Sequence, residues 1–353
     1  MGRVIQIADK QIGENFPCFI IAEMSGNHNM DYDRAVELIR AAKRAGADAI
    51  KLQTYTADTI TLDSDKDYFK TGHIWEGTTL HKLYQQAYTP WEWQPRLKQV
   101  ADELGIILFS SPFDFTAVDF LEQIDVPAYK IASYEIVDIP LIRKVAKTGK
   151  PIMISTGIAD KEDIELAVKV CRDEGNDKVV LLKCTSEYPA PYEDMNLRTI
   201  PLMQDTFSCC SGLSDHSMGD ELAIAAVAMG AKVIEKHFTL KRSDGGVDSS
   251  FSMEEEEFAH MVARIRNVEN AMGTATFQLP KKQKEEQKGG RSLFICKDIK
   301  QGEVFTKENI RSVRPGYGVH TKYYDEIMGK HAARDLEFAE PLHMEDVKEK
   351  IQG

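Results

Sequence analysis

Gly212-Leu213-Ser214-Asp215-His216 and Val233-Ile234-Glu235-Lys236-His237-Phe238 are two short apolar runs, each ending in polar, chemically capable residues. Between them, Ala223 to Ala231 is rich in small residues and reads as one helix, with Gly230 near its end. The order is strand, helix, strand, with a His at the end of each strand. If the strands are parallel neighbours, both imidazoles emerge at the same end of a sheet. Two His side chains placed in this way can share one divalent metal. The plainer alternative is two unrelated histidines, each satisfied by its own hydrogen bonds. Spacing alone does not separate these readings, because motif-encoded His ligands usually stand closer in sequence.

The same alternation continues outward. Apolar runs at Phe19-Ile20-Ile21-Ala22, Ala49-Ile50-Lys51-Leu52-Gln53, Ile106-Ile107-Leu108-Phe109, Ala128-Tyr129-Lys130-Ile131, Pro151-Ile152-Met153-Ile154 and Val179-Val180-Leu181-Leu182 read as strands. Helical periodicity lies between them. Asp31 opens a helix with Ala35, Leu38, Ile39 and Ala42 on one face, and Asp160 to Glu174 carries Ile164, Ala167, Val168 and Cys171. Thr116 to Gln123 and Ile139 to Lys147 also read as helices, and Leu197 to Asp205 as a helix or loop. Thr89-Pro90-Trp91-Glu92 reads as a helix start with Thr89 as N-cap. Residues 54–88 read as a long irregular insertion, a common location for functional loops. Eight strand-like runs alternating with helices predict a parallel sheet, and the length fits a (β/α)8 TIM barrel of about 250 residues. A doubly wound open sheet would show a glycine-rich phosphate loop after its first strand, and Glu23-Met24-Ser25-Gly26-Asn27 is not one.

Ser252 and Glu255 read as a capping box for a last barrel helix ending at Gly273. Pro280 to Gly290 is polar and charged throughout, and after Arg291 the segments are short and turn-rich. The expected organisation is a barrel over 1–275, a linker over 276–290 and a small C-terminal domain over 291–353. A net charge of −12 argues against a nucleic-acid partner. No apolar run approaches the roughly 20 residues of a membrane span, and the N-terminus lacks a signal-peptide core. The six cysteines have no framework spacing and read as reduced thiols. A cytoplasmic location is expected.

Barrel chemistry sits at the C-terminal strand ends. Read in order, those ends supply Glu23; Lys51 and Gln53; Ser110 and Ser111; Lys130, Ser133 and Glu135; Ser155 and Thr156; Lys183, Thr185, Ser186 and Tyr188; Ser214, Asp215 and His216; and Glu235, Lys236 and His237. Chance polarity would be scattered, so this concentration favours a metal at the His pair. Lys51, Lys130 and the hydroxyls of Ser111, Ser133 and Ser214 suit a phosphate or carboxylate. Glu23 and Asp215 could be metal ligands, general bases or hydroxyl acceptors. Alternatively, they are structural ion pairs with neighbouring lysines.

These residues resemble the sialic acid synthase family. The carrying motifs are Ile21-Ala22-Glu23, Asp48-Ala49-Ile50-Lys51-Leu52-Gln53-Thr54, Ser111-Pro112-Phe113, Tyr129-Lys130-Ile131-Ala132-Ser133 and Lys183-Cys184-Thr185, together with the two His runs. The tail resembles that family's antifreeze-like (SAF) domain. The resemblance implies condensation of phosphoenolpyruvate with an N-acylated amino sugar to a nonulosonic acid plus phosphate, with C–O cleavage. It assigns phosphoenolpyruvate to Lys51, Ser111, Lys130, Ser133, Ser186 and Ser214. His216 and His237 would bind Mn²⁺, Co²⁺ or Mg²⁺, and Glu23 would act near the sugar or water. Asp215 falls within the catalytic group. Glu135, Tyr188 and Asp248 would contact the sugar, as would Arg314, supplied across a domain-swapped homodimer.

Ser111 and Ser186 stand where the N-acetylneuraminate branch has Thr and Asn. The runs 110–114, 129–135 and Thr71-Gly72-His73-Ile74-Trp75 look more like the pseudaminic acid branch, which uses 2,4-diacetamido-2,4,6-trideoxy-altrose. N-acetylneuraminate or legionaminate synthesis has the same chemistry. A Schiff-base aldolase using Lys130 or Lys183, or a carbohydrate-binding protein, are readings of other classes.

Overall fold

The computed structural model describes residues 4–72 and 75–349. A short antiparallel hairpin comes first, β1 (Ile5–Ile7) with β2 (Lys10–Ile12). It is not predicted above, because its turn through Ala8 and Asp9 lacks the Asn-Gly or Gly-Gly signal of tight hairpins. Its Ile5, Ile7 and Ile12 join Phe19, Ile21, Ala49, Ile107 and Phe109 in one buried cluster.

Every apolar run read as a barrel strand becomes one. In chain order these are β3 (Phe19–Glu23), β4 (Ala49–Thr54), β5 (Ile107–Pro112), β6 (Tyr129–Ile131), β7 (Ile152–Ser155), β8 (Val179–Cys184), β9 (Cys210–Asp215) and β10 (Val233–His237). All pairings are parallel, and β10 closes on β3 with His237 opposite Glu23. Side chains alternate along each strand. On β4 and β10, Ala49, Lys51, Gln53, Val233, Glu235 and His237 therefore face the lumen, while Ile50, Leu52, Ile234 and Lys236 face the helices. The packing agrees: Ile50, Leu52, Leu213 and Ile234 share a cluster with the helix residues Leu38, Ile39, Leu97 and Ala226. The lumen is apolar toward the hairpin end and polar at the C-terminal ends.

The helices follow from their caps and faces. α1 (Tyr32–Arg44) starts where the Asp31 carboxylate accepts from the N–H groups of Asp33 and Arg34, a cap worth about 1 kcal/mol. Residues 54–88 are not uniformly irregular, since they contain α2 (Ala57–Ile60) and α3 (Leu80–Ala87). Thr89 is not an N-cap. Its hydroxyl meets His28 Nε2 at 3.2 Å, a single 3₁₀ turn covers Trp91–Trp93, and α4 (Gln94–Leu104) begins only afterwards. α5 (Phe115–Gln123), α6 (Ile139–Lys147), α7 (Lys161–Asp173), α8 (Thr199–Phe207) and α9 (Glu221–Ala228) complete the alternation. The capping box of α10 (Glu255–Met272) is Glu254 with Glu257 rather than Ser252 with Glu255. The Ser252 hydroxyl instead donates to Asp248 O and accepts from Asn27, which ties two loops at the barrel mouth.

The chain divides into two compact units, up to Gly273 and from Thr274 onward. The charged stretch holds a fully exposed helix, α11 (Lys281–Glu286). Beyond it β11 (Ser292–Ile295) pairs with β12 (Ile310–Val313), and β13 (His331–Ala332) with β14 (Val347–Lys348). They surround a small core of Leu293, Ile295, Phe305, Ile310, Leu336 and Leu342.

Candidate active site

At the polar end of the lumen, two lysines and two glutamates interlock. Lys51 Nζ lies 2.6 Å from Glu23 Oε2, 3.2 Å from Ser111 Oγ and 3.8 Å from Glu235 Oε2. Lys130 Nζ donates to Glu235 Oε1 at 3.2 Å, and Ser214 Oγ donates to the same oxygen at 2.9 Å. All are buried. The cluster is not saturated. Glu235 Oε2 has no hydrogen-bond partner, and neither has the buried Ser155 hydroxyl. Buried polar atoms normally find partners; here they are left for something polar to enter.

The two glutamates are driven apart. Burial raises the Glu23 carboxyl above its ordinary range, against the pull of Lys51. Burial also acts on Glu235, but Lys130, Lys51 and the Ser214 hydroxyl outweigh it and hold Glu235 ionised. One carboxyl is therefore suited to carry a proton and the other to remain a fixed counter-charge. Gln53 Nε2 orients Glu23 through Oε1 at 2.8 Å and also reaches Ser25 Oγ at 3.2 Å. Ser25 Oγ in turn donates to the Asp248 carboxylate.

Ser133 and Ser186 meet through their hydroxyls at 2.8 Å. They do so over Gly157, where a Cβ would overlap both hydroxyl oxygens and crowd Cys184 Sγ. Gly157 is therefore part of the cradle, which sequence reading missed because the residue lies past the strand end.

The two histidines come together as anticipated, with ring centroids 5.3 Å apart and planes at 71°. His216 Nδ1 lies 2.9 Å from Thr185 O, so that nitrogen carries the proton and Nε2 keeps its lone pair. The Cys184 thiol sits 3.8 Å from the same Nδ1. His237 Nδ1 is buried without a hydrogen-bond partner, 3.9 Å from Asp248 Oδ2. Burial holds His237 well below the ordinary imidazole range, and His216, Lys51 and Lys130 push it the same way; for His216 itself, Cys184 and the Thr185 carbonyl outweigh burial and raise the imidazole. The converging imidazoles, one with an orphaned nitrogen, fit a divalent metal. Among the described residues no third His, Cys, Asp or Glu completes a cluster, so substrate or water oxygens would fill the remaining positions.

Glu135 has a buried, unpartnered Oε2, and burial pushes its carboxyl up to about 7. Tyr188 lies 4.4 Å from His216, ring to ring. Arg314 belongs to the second unit, directly after β12.

Two expectations need correction. Asp215 is not in the lumen. It alternates outward from Ser214, and its carboxylate is taken up by Lys236 Nζ at 2.8 Å and by Ser217 N and Oγ at 2.9 and 2.7 Å. It is the structural ion pair that was the alternative reading. Lys183 also points outward, with its Nζ on Cys184 O and Thr185 Oγ1, so it cannot serve a Schiff base in the lumen. Glu235, by contrast, has no role assigned from the sequence beyond its place at a strand end, although alternation from His237 places it inside. His73 and Ile74 of the run Thr71–Trp75 lie outside the described residues.

The chain belongs to the NeuB family, whose model matches residues 38–277, and a SAF domain model matches residues 290–348. It is 45% identical over 331 residues to pseudaminic acid synthase of Campylobacter jejuni, covering 94% of this chain and 96% of that one. Identity to N,N'-diacetyllegionaminic acid synthase of Legionella pneumophila is 35%, covering 96% and 97%. The crystal structure of N-acetylneuraminic acid (sialic acid) synthetase from Leptospira borgpetersenii, in complex with citrate, superposes with a TM-score of 0.74 at 32% identity, covering 81% of this chain and 95% of that one.

Proposed function

We propose that this chain is a pseudaminic acid synthase, condensing phosphoenolpyruvate with 2,4-diacetamido-2,4,6-trideoxy-altrose to a nonulosonic acid and phosphate. One observation carries the reading: an unsaturated cluster of Lys51, Lys130 and serine hydroxyls lies in the same lumen as a converging His pair. Similarity to pseudaminic acid synthases at 45% identity, against 35% for a legionaminic acid synthase, supports the choice of sugar.

Lys51, Lys130, Ser111, Ser133, Ser186 and Ser214 hold the phosphate and carboxylate of phosphoenolpyruvate. Point charges and short hydroxyl donors suit both groups. His216 and His237 hold a divalent metal, Mn²⁺, Co²⁺ or Mg²⁺, which when bound supplies Lewis acidity toward the sugar aldehyde. C3 of phosphoenolpyruvate forms the new bond to the aldehyde carbon, and C2 becomes electrophilic. Water adds at C2, and phosphate then leaves with cleavage of its C–O bond. Glu23 takes the water proton, because its carboxyl is poised to exchange one. Glu235 stays ionised and keeps both lysines charged and aimed. Glu135, Tyr188 and Asp248 contact the sugar. Arg314 of the partner subunit completes the site in a domain-swapped, cytoplasmic homodimer.

The experiment is phosphate release from phosphoenolpyruvate with Mn²⁺, comparing the altrose sugar, N-acetylmannosamine and the legionaminic precursor. Turnover with the altrose sugar alone is expected. Turnover with another sugar corrects the branch and keeps the chemistry. No release from folded, metal-loaded protein refutes the synthase reading. Mixing His237→Ala with Arg314→Ala chains tests the shared site, since only a swapped dimer recovers activity on mixing.

A further inference from the structure

The aromatic wall above the His pair has a direction. The Tyr188 ring lies over His216 at 4.4 Å, tilted by 34°. Phe251 closes the other side, 5.3 Å from Tyr188 and 4.9 Å from His237. One step farther out stands Trp75, 5.6 Å from Tyr188; its indole N–H donates to Val247 O at 3.0 Å. That bond takes up the polar atom of the ring. The rest of the indole surface is hydrocarbon. Trp75 is half-buried and lies within the long insertion after β4, where Thr71 N donates to Thr78 O at 3.0 Å and Lys70 bridges to Thr79.

We propose that Trp75 is a specificity-determining residue. It gives the far end of the sugar's carbon chain an apolar surface that suits a terminal methyl group and disfavours a terminal hydroxyl. The inference rests on the synthase reading above and deepens it. The reacting aldehyde carbon has to lie at the His pair, so the open carbon chain runs outward from there. Tyr188, packed on His216, borders its first part, and Trp75, packed on Tyr188, is the next surface along it. The terminal carbon of a 6-deoxy sugar is a methyl, which loses nothing against indole carbon. A C6 hydroxyl at the same place gives up water and finds no partner, because the indole N–H is already engaged. Apolar surfaces reject an added hydroxyl by up to about 10²-fold, which sets the scale of the effect.

The test compares 2,4-diacetamido-2,4,6-trideoxy-altrose with its 6-hydroxy counterpart, a pair differing at one atom. The wild-type protein should prefer the deoxy sugar in kcat/KM by about 10²-fold. Trp75→Ala should cut that ratio at least about tenfold, chiefly through KM for the deoxy sugar, as expected for loss of uniform binding. Trp75→Phe keeps an apolar ring and should retain most of the preference. Trp75→Gln offers the hydroxyl a partner and should also erase it, and it carries the test if the alanine variant does not fold. An equal loss toward both sugars in Trp75→Ala or Trp75→Gln overturns the assignment, as does a wild-type protein that turns over both alike. Either result leaves the synthase reading standing, whereas absence of phosphate release with both sugars removes that reading and this inference together.

Discussion

β9 and β10 carry two buried ionic clusters one residue apart, on opposite faces of the same strands. Inside the lumen, Ser214 and Glu235 face Lys130 and Lys51. Outside, Asp215 faces Lys236. The outer cluster is complete: Asp215 takes three hydrogen bonds, and Lys236 Nζ also reaches Ser217 O at 2.7 Å. The inner cluster leaves Glu235 Oε2 without a hydrogen-bond donor, and the Ser155 hydroxyl is without a partner. Burial and charge are alike in the two places. What differs is saturation. A buried pair with every valence met stabilises one fold, whereas a buried cluster with open valences is arranged for a ligand. The residue type does not reveal which is which.

The comparison can be broken most sharply at Lys130. Lys130→Met should lower kcat/KM for phosphoenolpyruvate by roughly 10² to 10³-fold, as expected for removing a buried charge partner worth about 2–5 kcal/mol. Steady-state phosphate release measures it, and a change below about threefold refutes the inner assignment. Lys236→Met should show the reverse pattern. Stability should fall by about 3–5 kcal/mol, because Asp215 is left buried and unpaired. The folded fraction should keep kcat/KM within a few-fold of wild type. Urea melts of Lys236→Met against the double variant Asp215→Leu with Lys236→Met sharpen this, since removing both charges should recover much of the loss.

A smaller effect is expected at Gly157. Gly157→Ala pushes Ser133 and Ser186 apart and should raise KM for phosphoenolpyruvate by about tenfold while kcat changes less, the signature of lost ground-state binding. An unchanged KM would detach this serine pair from the site. The last effect is read from pH. Burial raises the Glu135 carboxyl from 4.5 to about 7, so its protonated form favours the folded state. That contribution is fully present below pH 4.5, declines as the pH rises, and is gone above about 7; it is on the order of 3 kcal/mol. Glu135→Gln should therefore match the wild-type Tm near pH 4.5 and exceed it at pH 8. Parallel Tm curves across that window would show that Glu135 is not held in its protonated form.

The barrel was legible because its signals are local. Apolar runs of strand length, helical periodicity between them and polar strand ends are all properties of neighbouring residues, and all eight strands were found from them. The N-terminal hairpin escaped because Ala8-Asp9 is a weak turn sequence. The Thr89 and Ser252 caps are not formed because the Thr89 hydroxyl meets the distant His28, and the Ser252 hydroxyl is held between the distant Asn27 and the carbonyl of Asp248 four residues before it.

Sequence alone determined the alternating barrel, the charged stretch before a small second unit, and the convergence of two histidines at one sheet end. Alternation along β10 could also have placed Glu235 inside with His237, had the period of two been carried back from the histidine. Only the tertiary structure decided that Asp215 and Lys183 face away from the lumen, that Gly157 makes room for a serine pair, and that Trp75 joins the aromatic wall. The reason is physical. Strand periodicity is a short-range rule, but closure of the barrel fixes which side is the lumen, and packing between strands 21 to 105 residues apart in the chain decides which buried charges are satisfied and which are left open.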